Sequence, residues 1–407
     1  MSEHERNLIH LPESLKKLTL NKDLSKHLKR GHLWIFATNI QESQLPFGIY
    51  SLEYKNETLG VGIFQPNSQL RFRILFLNDI WYFKKNNLKK SLEIHCQFCI
   101  ERALQIRKGF DLNKTNSFRL INGEGDGLPG LIIDIYNDTA VIKHDQPEME
   151  KVWHHQNLAR TLLKNLPQLR NVYLKRKNDT KEKGQIIYGT LPEEVIFLEN
   201  SVQFSANIKD GSKTGFFLDQ RDNRNLIKSF AKNASVLNLF SYTGGFSLFA
   251  AAGGASSITS VDIAASAIQA VERNFSLNGF KNKQINLAQD AFEFIQISLQ
   301  NKMEYDMVIT DPPSFAPNEK VKPQAISAYT KVFSDSIRLV KNNGFFAASS
   351  CSSHISHAEL LEIIKESLAK TKRKASVLYC GGQPVDHPFP IGMEELRYLK
   401  FYFLRMD

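Results

Sequence analysis

A strand, a glycine turn and an acid arrive in quick succession between Val236 and Asp262. The apolar run Val236-Leu237-Asn238-Leu239-Phe240 leads into Ser241-Tyr242-Thr243-Gly244-Gly245, a helix-like stretch from Phe246 to Ala252, and a second strand closing on the acid. That succession belongs to an α/β doubly wound sheet, whose strands bring their carboxyl ends to a nucleoside pocket. Past about Gln203 apolar strand patterns alternate with helical ones, predicting strands over 235–240, 257–262, 284–288, 305–310, 344–349, 375–380 and 398–404. Seven strands make a Rossmann-like sheet. No helical pattern separates the last two, so the final strand is expected to pair antiparallel as a hairpin edge.

A chain of 407 residues exceeds one ordinary core. Three domains are expected: a β-rich one over 1–78, a small α+β linker domain over 79–190, and the seven-stranded sheet over 191–407. In the first, 15–20, 60–65 and 71–75 read as strands punctuated by glycine and proline. A helix is expected over 81–108, where Leu92, Cys96, Cys99 and Ala103 recur at three- and four-residue spacing. Strands over 118–121 and 131–136 flank the turn Asn122-Gly123-Glu124-Gly125-Asp126-Gly127-Leu128-Pro129-Gly130. Its glycines and proline account for the reversal, so its acids need no functional role.

A formal charge of +10 favours a polyanionic partner. Lys29-Arg30-Gly31-His32-Leu33-Trp34-Ile35-Phe36 sets cations beside two large rings. That cluster can hold phosphates and stack on bases, or Trp34 and Phe36 can be core with solvated cations around them. The opening Met-Ser-Glu-His-Glu-Arg has no apolar leader region, and no apolar run approaches the ~20 residues of a membrane span, so a cytoplasmic protein with no membrane contact is expected. Cys96, Cys99, Cys351 and Cys380 are too few and scattered for a disulfide framework. His95-Cys96-Gln97-Phe98-Cys99 has the spacing of half a zinc knuckle without a second pair, so buried thiols on a helix are expected there and no metal.

The chemistry reads from the ends of the C-terminal strands. Gly244 and Gly245 would let backbone approach a ligand, and the helix behind them would offer N–H groups to the carboxylate of a methionine moiety. Asp262 can accept ribose hydroxyls or cap the helix from Ala264; Asp290 can take the exocyclic amine of adenine or cap the helix over 291–299. The cofactor expected is S-adenosyl-L-methionine. Asp311-Pro312-Pro313-Ser314-Phe315 ends the fourth strand, where two prolines stiffen a loop that can hold the edge of a base. Cys351 ends the fifth. A thiolate there can add to carbon 6 of a pyrimidine and make carbon 5 nucleophilic. It needs a depressed pKa, from a helix N-terminus near Ser356 or a nearby cation; the alternative is an inert, buried thiol.

These motifs resemble the bacterial large-subunit ribosomal RNA (cytosine-5-)-methyltransferase I family, over nearly the whole chain. The marks are Arg30-Gly31-His32-Leu33-Trp34-Ile35-Phe36, the glycine-rich turn at 122–130, Lys213-Thr214-Gly215-Phe216-Phe217-Leu218-Asp219-Gln220-Arg221, the Asp-Pro-Pro loop and Ser350-Cys351-Ser352. The resemblance implies an N-terminal PUA domain, Cys351 as nucleophile, Asp311 stabilising the attacked cytosine, and Gln220, Tyr242, Gly244, Asp262, Asp290 and Asp311 around the cofactor. It also implies ribosomal RNA, 23S, as partner, and a homodimer. Ser314 stands where the best-known members carry lysine, and Ser352-Ser353-His354-Ile355 departs as well; both bear on the target position. Two other functions fit the same motifs: methylation of a base nitrogen, and a non-catalytic RNA-binding assembly factor.

Overall fold

A computed structural model describes residues 7–10, 12, 14–41, 44–80, 87–176, 184–316 and 318–407. The opening hexapeptide and the first residues of the helix expected from Trp81 lie outside them. The chain divides into two compact units, one of Met1–Phe197, Ala206–Phe216 and Val385–Glu394, the other of Leu198–Ser205, Phe217–Pro384 and Glu395–Asp407.

The first unit holds two five-stranded sheets. β1 (Lys16–Thr19), β2 (Trp34–Phe36), β3 (Gly48–Tyr54), β4 (Glu57–Phe64) and β5 (Leu70–Leu77), with the short α1 (Ser25–Lys29), form a sheet ordered β1-β3-β4-β5-β2. After α2 (Leu88–Arg107) come β6 (Ser117–Asn122), β7 (Leu131–Tyr136), β8 (Thr139–His144), α3 (His155–Asn165), β9 (Asn171–Lys175) and β10 (Gly184–Tyr188), the strands ordered β10-β9-β8-β7-β6. One apolar core joins the two sheets: Ile49, Val61 and Ile63 pack into the cluster that holds Leu120, Ile133 and Trp153. The α2 stripe of Leu92, Cys96, Cys99 and Ala103 enters that core as the spacing requires. Burial pushes the Cys99 thiol up to about 12 and holds His95 down to about 4, so both stay neutral.

The acids of the turn at 122–130 carry structural charge. Glu124 meets Arg73 at 2.6 Å and accepts the Trp34 indole N–H at 2.7 Å, while Arg73 also reaches Asp145 at 2.7 Å. Asp126 takes both guanidinium nitrogens of Arg107, at 2.7 and 2.8 Å, and Arg107 also donates to the Asp386 carbonyl at 2.7 Å. Arg73, Arg107, Glu124 and Asp126 are all buried, which such charges tolerate only when paired. Gly125 is required by close approach, since a Cβ there would strike the Pro388 carbonyl. Trp34 is thus a structural ring, while Phe36 stands exposed.

A hairpin of β11 (Val195–Glu199) and β12 (Val202–Ala206) precedes the seven-stranded sheet. The sheet is built from β13 (Ser235–Leu239), β14 (Ser257–Asp262), β15 (Lys283–Ala288), β16 (Tyr305–Thr310), β17 (Val340–Ser350), β18 (Ala375–Gly381) and β19 (Lys400–Met406). Between and before them run α4 (Arg221–Phe230), α5 (Gly245–Ala252), α6 (Ala265–Leu277), α7 (Ala291–Gln300), α8 (Lys322–Ile337) and α9 (His357–Thr371). The order is β15-β14-β13-β16-β17-β19-β18, with the first five strands parallel and β19 antiparallel to both neighbours. The expected antiparallel pairing of the last strand holds, but its edge position does not. β19 is buried at every residue except Arg405 and must be covered on both sides, whereas β18 is exposed over most of its length and takes the edge. Register sets Leu239 and Ala348 beside Thr310, and Ala288 beside Asp262, so the loops after these strands open along one edge of the sheet.

Candidate active site

The turn after β13 is wound tightly. Phe240 (φ +58°), Tyr242 (φ +46°) and Gly244 (φ +84°) are all left-handed, a conformation that costs a bulky aromatic of the order of 1–3 kcal/mol and that clusters at functional sites. Asp262 at the tip of β14 holds the turn: one carboxylate oxygen accepts the Tyr242 N–H at 2.8 Å and the other the Ala264 N–H at 2.9 Å. The N-cap of α6 is Ala264, so Asp262 is not the helix cap. Asp290 does cap its helix, accepting the Glu293 N–H at 3.0 Å through Oδ1. Both carboxylates sit half-buried at adjacent strand ends.

The glycines also meet a packing need. A Cβ on Gly244 would come within 3.0–3.1 Å of Leu248 and Val271, and one on Gly245 within 3.0 Å of Arg224. They admit protein side chains to the back of the turn, and the positive φ of Gly244 starts α5. Arg224 is fixed there by a buried bidentate pair with Glu199, at 2.7 and 2.6 Å.

Asp311, directly after β16, joins a polar cluster. Gln220, at the start of α4, donates to Asp311 Oδ2 at 3.0 Å and to Ser349 Oγ at 2.9 Å, and its own oxygen accepts from Asn223 at 2.6 Å. Burial pushes the Asp311 carboxyl up to about 6; Asp219 adds to the rise, and hydrogen bonds from Ser349 and Gln220 with the charge of Arg224 oppose it. Near neutral pH such a group exists in both forms, so it can accept a hydrogen bond from a base or deliver a proton to it.

Cys351 follows β17 and is half-buried rather than sealed in the apolar interior. Around it the Asp-Pro-Pro loop and the β17 end are laced by hydroxyls. Ser314 Oγ lies 2.7 Å from Ser352 Oγ, which lies 3.1 Å from the Tyr329 hydroxyl, which accepts from Ser350 Oγ at 3.0 Å. Ser314 therefore ties the loop to the cysteine segment. Lys400 stands opposite Ser350 in the β17–β19 register, buried, with Nζ donating to the carbonyls of Ser352 and, at 2.8 Å, Tyr398. Of these residues sequence reasoning missed Asn223, Tyr329, Ser349 and Lys400. Only Lys400 left a signal, as a lone cation ahead of the apolar run Phe401-Tyr402-Phe403-Leu404.

The site suits a sulfonium nucleoside. Asp262 and Asp290 keep acceptor capacity at the strand tips, and in the turn Ser241 Oγ and Thr243 Oγ1 are buried with no hydrogen-bond partner among the described residues. Among the described residues no group of three His, Cys, Asp or Glu is arranged to hold a metal ion, and no helix is long and apolar enough to cross a membrane.

Comparison with known proteins agrees with this geometry. The family described as S-adenosylmethionine-dependent methyltransferase matches residues 138–370, and the PUA-like domain matches 18–76. The chain is 32% identical to the ribosomal RNA large subunit methyltransferase of Deinococcus radiodurans, over 96% of this chain and 97% of that one. It is likewise 32% identical to the ribosomal RNA large subunit methyltransferase I of Alteromonas mediterranea, over 94% and 97%. A solved protein described as a methyltransferase, complexed with SAH, superposes with a TM-score of 0.80 at 26% identity, covering 96% of this chain and all of that one.

Proposed function

We propose that this chain, which belongs to the ribosomal RNA large subunit methyltransferase I family and takes S-adenosylmethionine as its cofactor, methylates carbon 5 of a cytosine in ribosomal RNA, 23S, in the cytoplasm. The observation that carries the finer reading is that a half-buried cysteine and a half-buried acid, its carboxyl raised to about 6, follow two adjacent parallel strands, β17 and β16.

Asp262 would hold the ribose, Asp290 the adenine amine, and the turn from Tyr242 to Gly244 the methionine end, with Gln220 beside it. Bound there, S-adenosylmethionine supplies a methyl group on a positively charged sulfur. The Cys351 thiolate adds to carbon 6 of the cytosine, and ring electrons move towards N3 as Asp311, in its protonated form, delivers its proton there. The ring is then an enamine whose carbon 5 is nucleophilic. Once carbon 5 carries the methyl group, its hydrogen leaves as a proton to a base, the electron pair expels the thiolate, and N3 returns its proton to Asp311. Gln220 and Ser349 hold Asp311 in place for the exchange.

The experiment is methyl transfer to unmodified 23S RNA, with the product nucleosides identified by mass spectrometry. The wild-type protein should yield 5-methylcytidine and Cys351→Ala none. A methyl group on nitrogen, or full activity in Cys351→Ala, makes the cysteine incidental; no transfer and no cofactor affinity leaves an RNA-binding factor.

A further inference from the structure

We propose that Lys400 is a positioning residue that holds Cys351 as a thiolate, an inference that rests on the reading of Cys351 as the nucleophile. Lys400 is 1% exposed on β19, between Leu399 and Phe401, a place where an ammonium is costly without a counter-charge. Its placement brackets the cysteine. It faces Ser350 across the strand pair and donates to the carbonyl of Ser352, the residues immediately before and after Cys351. The two carbonyls it binds are dipoles and neutralise no charge.

Among the described residues, the charged groups facing Lys400 are few. Cys351 and Glu359 favour its ammonium electrostatically, and His357 feels the charges of both Lys400 and Arg397. Glu359 is already committed, pairing with Lys322 at 2.8 Å and accepting the Ser356 N–H at 2.8 Å. His357 is held down to about 4 by burial and by Arg397 and Lys400, so it is neutral and no counter-ion to anything. Cys351 is left as the partner. The N-terminus of α9, the other source of stabilisation the sequence offered, is closed by its own capping box, Ser356 with Glu359. Burial lowers Lys400 to about 8, which leaves it an ammonium at neutral pH.

The charge works at both ends of the cycle. A preformed thiolate adds to carbon 6 without first giving up a proton, and the thiolate expelled at the end returns to the same ammonium; Lys400 keeps its proton throughout.

The test reads the thiol and not the methylation. In a Cys380→Ser background, with Cys96 and Cys99 buried, alkylation of Cys351 by iodoacetamide is followed against pH by peptide mass spectrometry. Lys400→Met should raise the midpoint by about one unit or more and slow alkylation at neutral pH roughly tenfold, while Lys400→Arg stays near wild type. An unchanged midpoint in Lys400→Met that still binds S-adenosylhomocysteine overturns the proposal and makes Lys400 structural. If Lys400→Met does not bind it, Lys400→Arg decides: a midpoint risen to that of an ordinary thiol also overturns the proposal. Methyl transfer surviving in Cys351→Ala is a separate outcome, which removes the nucleophile reading and this inference with it.

Discussion

Replacing Asp311 by Asn should make the protein more stable and nearly inactive. The Asp311 carboxyl is raised from 3.8 to about 6 in the fold, chiefly by burial. A rise of about two units corresponds to about 3 kcal/mol by which the ionised form is disfavoured in the folded state. Asn removes that charge but weakens the hydrogen bonds from Gln220 and Ser349, a loss of about 1 kcal/mol, and residual exposure of Asp311 screens part of the penalty. The net gain is then about 1–2 kcal/mol, or roughly 3–6 °C in Tm. The pH dependence identifies the cause. Because the folded pKa lies above the unfolded one, wild-type stability declines as pH rises from about 4 to about 6, and the full penalty is present above that window. Urea unfolding of both proteins at pH 4.5 and pH 8 is the assay, and the advantage of Asp311→Asn should be small at the lower pH and complete at the higher. Equal stabilities at pH 8, or a gap that does not change with pH, would refute the buried-charge account.

Other consequences are as direct. Arg224→Met leaves the fully buried Glu199 carboxylate unpaired and should cost about 3–5 kcal/mol in urea unfolding, with most of it recovered in the double variant Arg224→Met, Glu199→Leu. Gly244→Ala forces a left-handed alanine whose Cβ meets Leu248 and Val271; a loss of about 1–3 kcal/mol is expected, with weaker S-adenosylhomocysteine binding by calorimetry. Ser356→Ala removes the capping box of α9 and should cost about 1 kcal/mol in thermal unfolding. Methyl transfer should fall as pH rises through about 6, where Asp311 loses the proton it delivers to the ring, and Lys400→Arg should keep that decline.

The seven C-terminal strands were legible because each is a compact apolar run bounded by turn residues, and their ends agree with the pattern to within a few residues. Their lateral order was not. Nothing local to 398–404 says that it enters between two strands, and the exposure of β18 emerges only once the sheet is assembled. The acids at the strand ends were found because chain position alone puts Asp262, Asp290 and Asp311 there. Gln220 needed the family resemblance, since its hydrogen bond to Asp311 spans 91 residues. The left-handed Phe240 and Tyr242 gave no sign, because aromatic residues disfavour that conformation and only Asp262 and the surrounding packing impose it. Glu124 and Asp126 looked like turn decoration, and their arginine partners are distant in sequence or on another element.

The proposed reaction depends on sulfur bonding to a pyrimidine ring. Fluorine at carbon 5 cannot leave as a proton does, so 23S RNA containing 5-fluorocytosine should arrest the reaction after methyl transfer, with the RNA still attached to the enzyme. In the presence of S-adenosylmethionine the prediction is a denaturation-resistant complex whose linked peptide carries the nucleotide on Cys351, and none from Cys351→Ala. Normal turnover on that RNA with no trapped complex, or a link to any other residue, would contradict it.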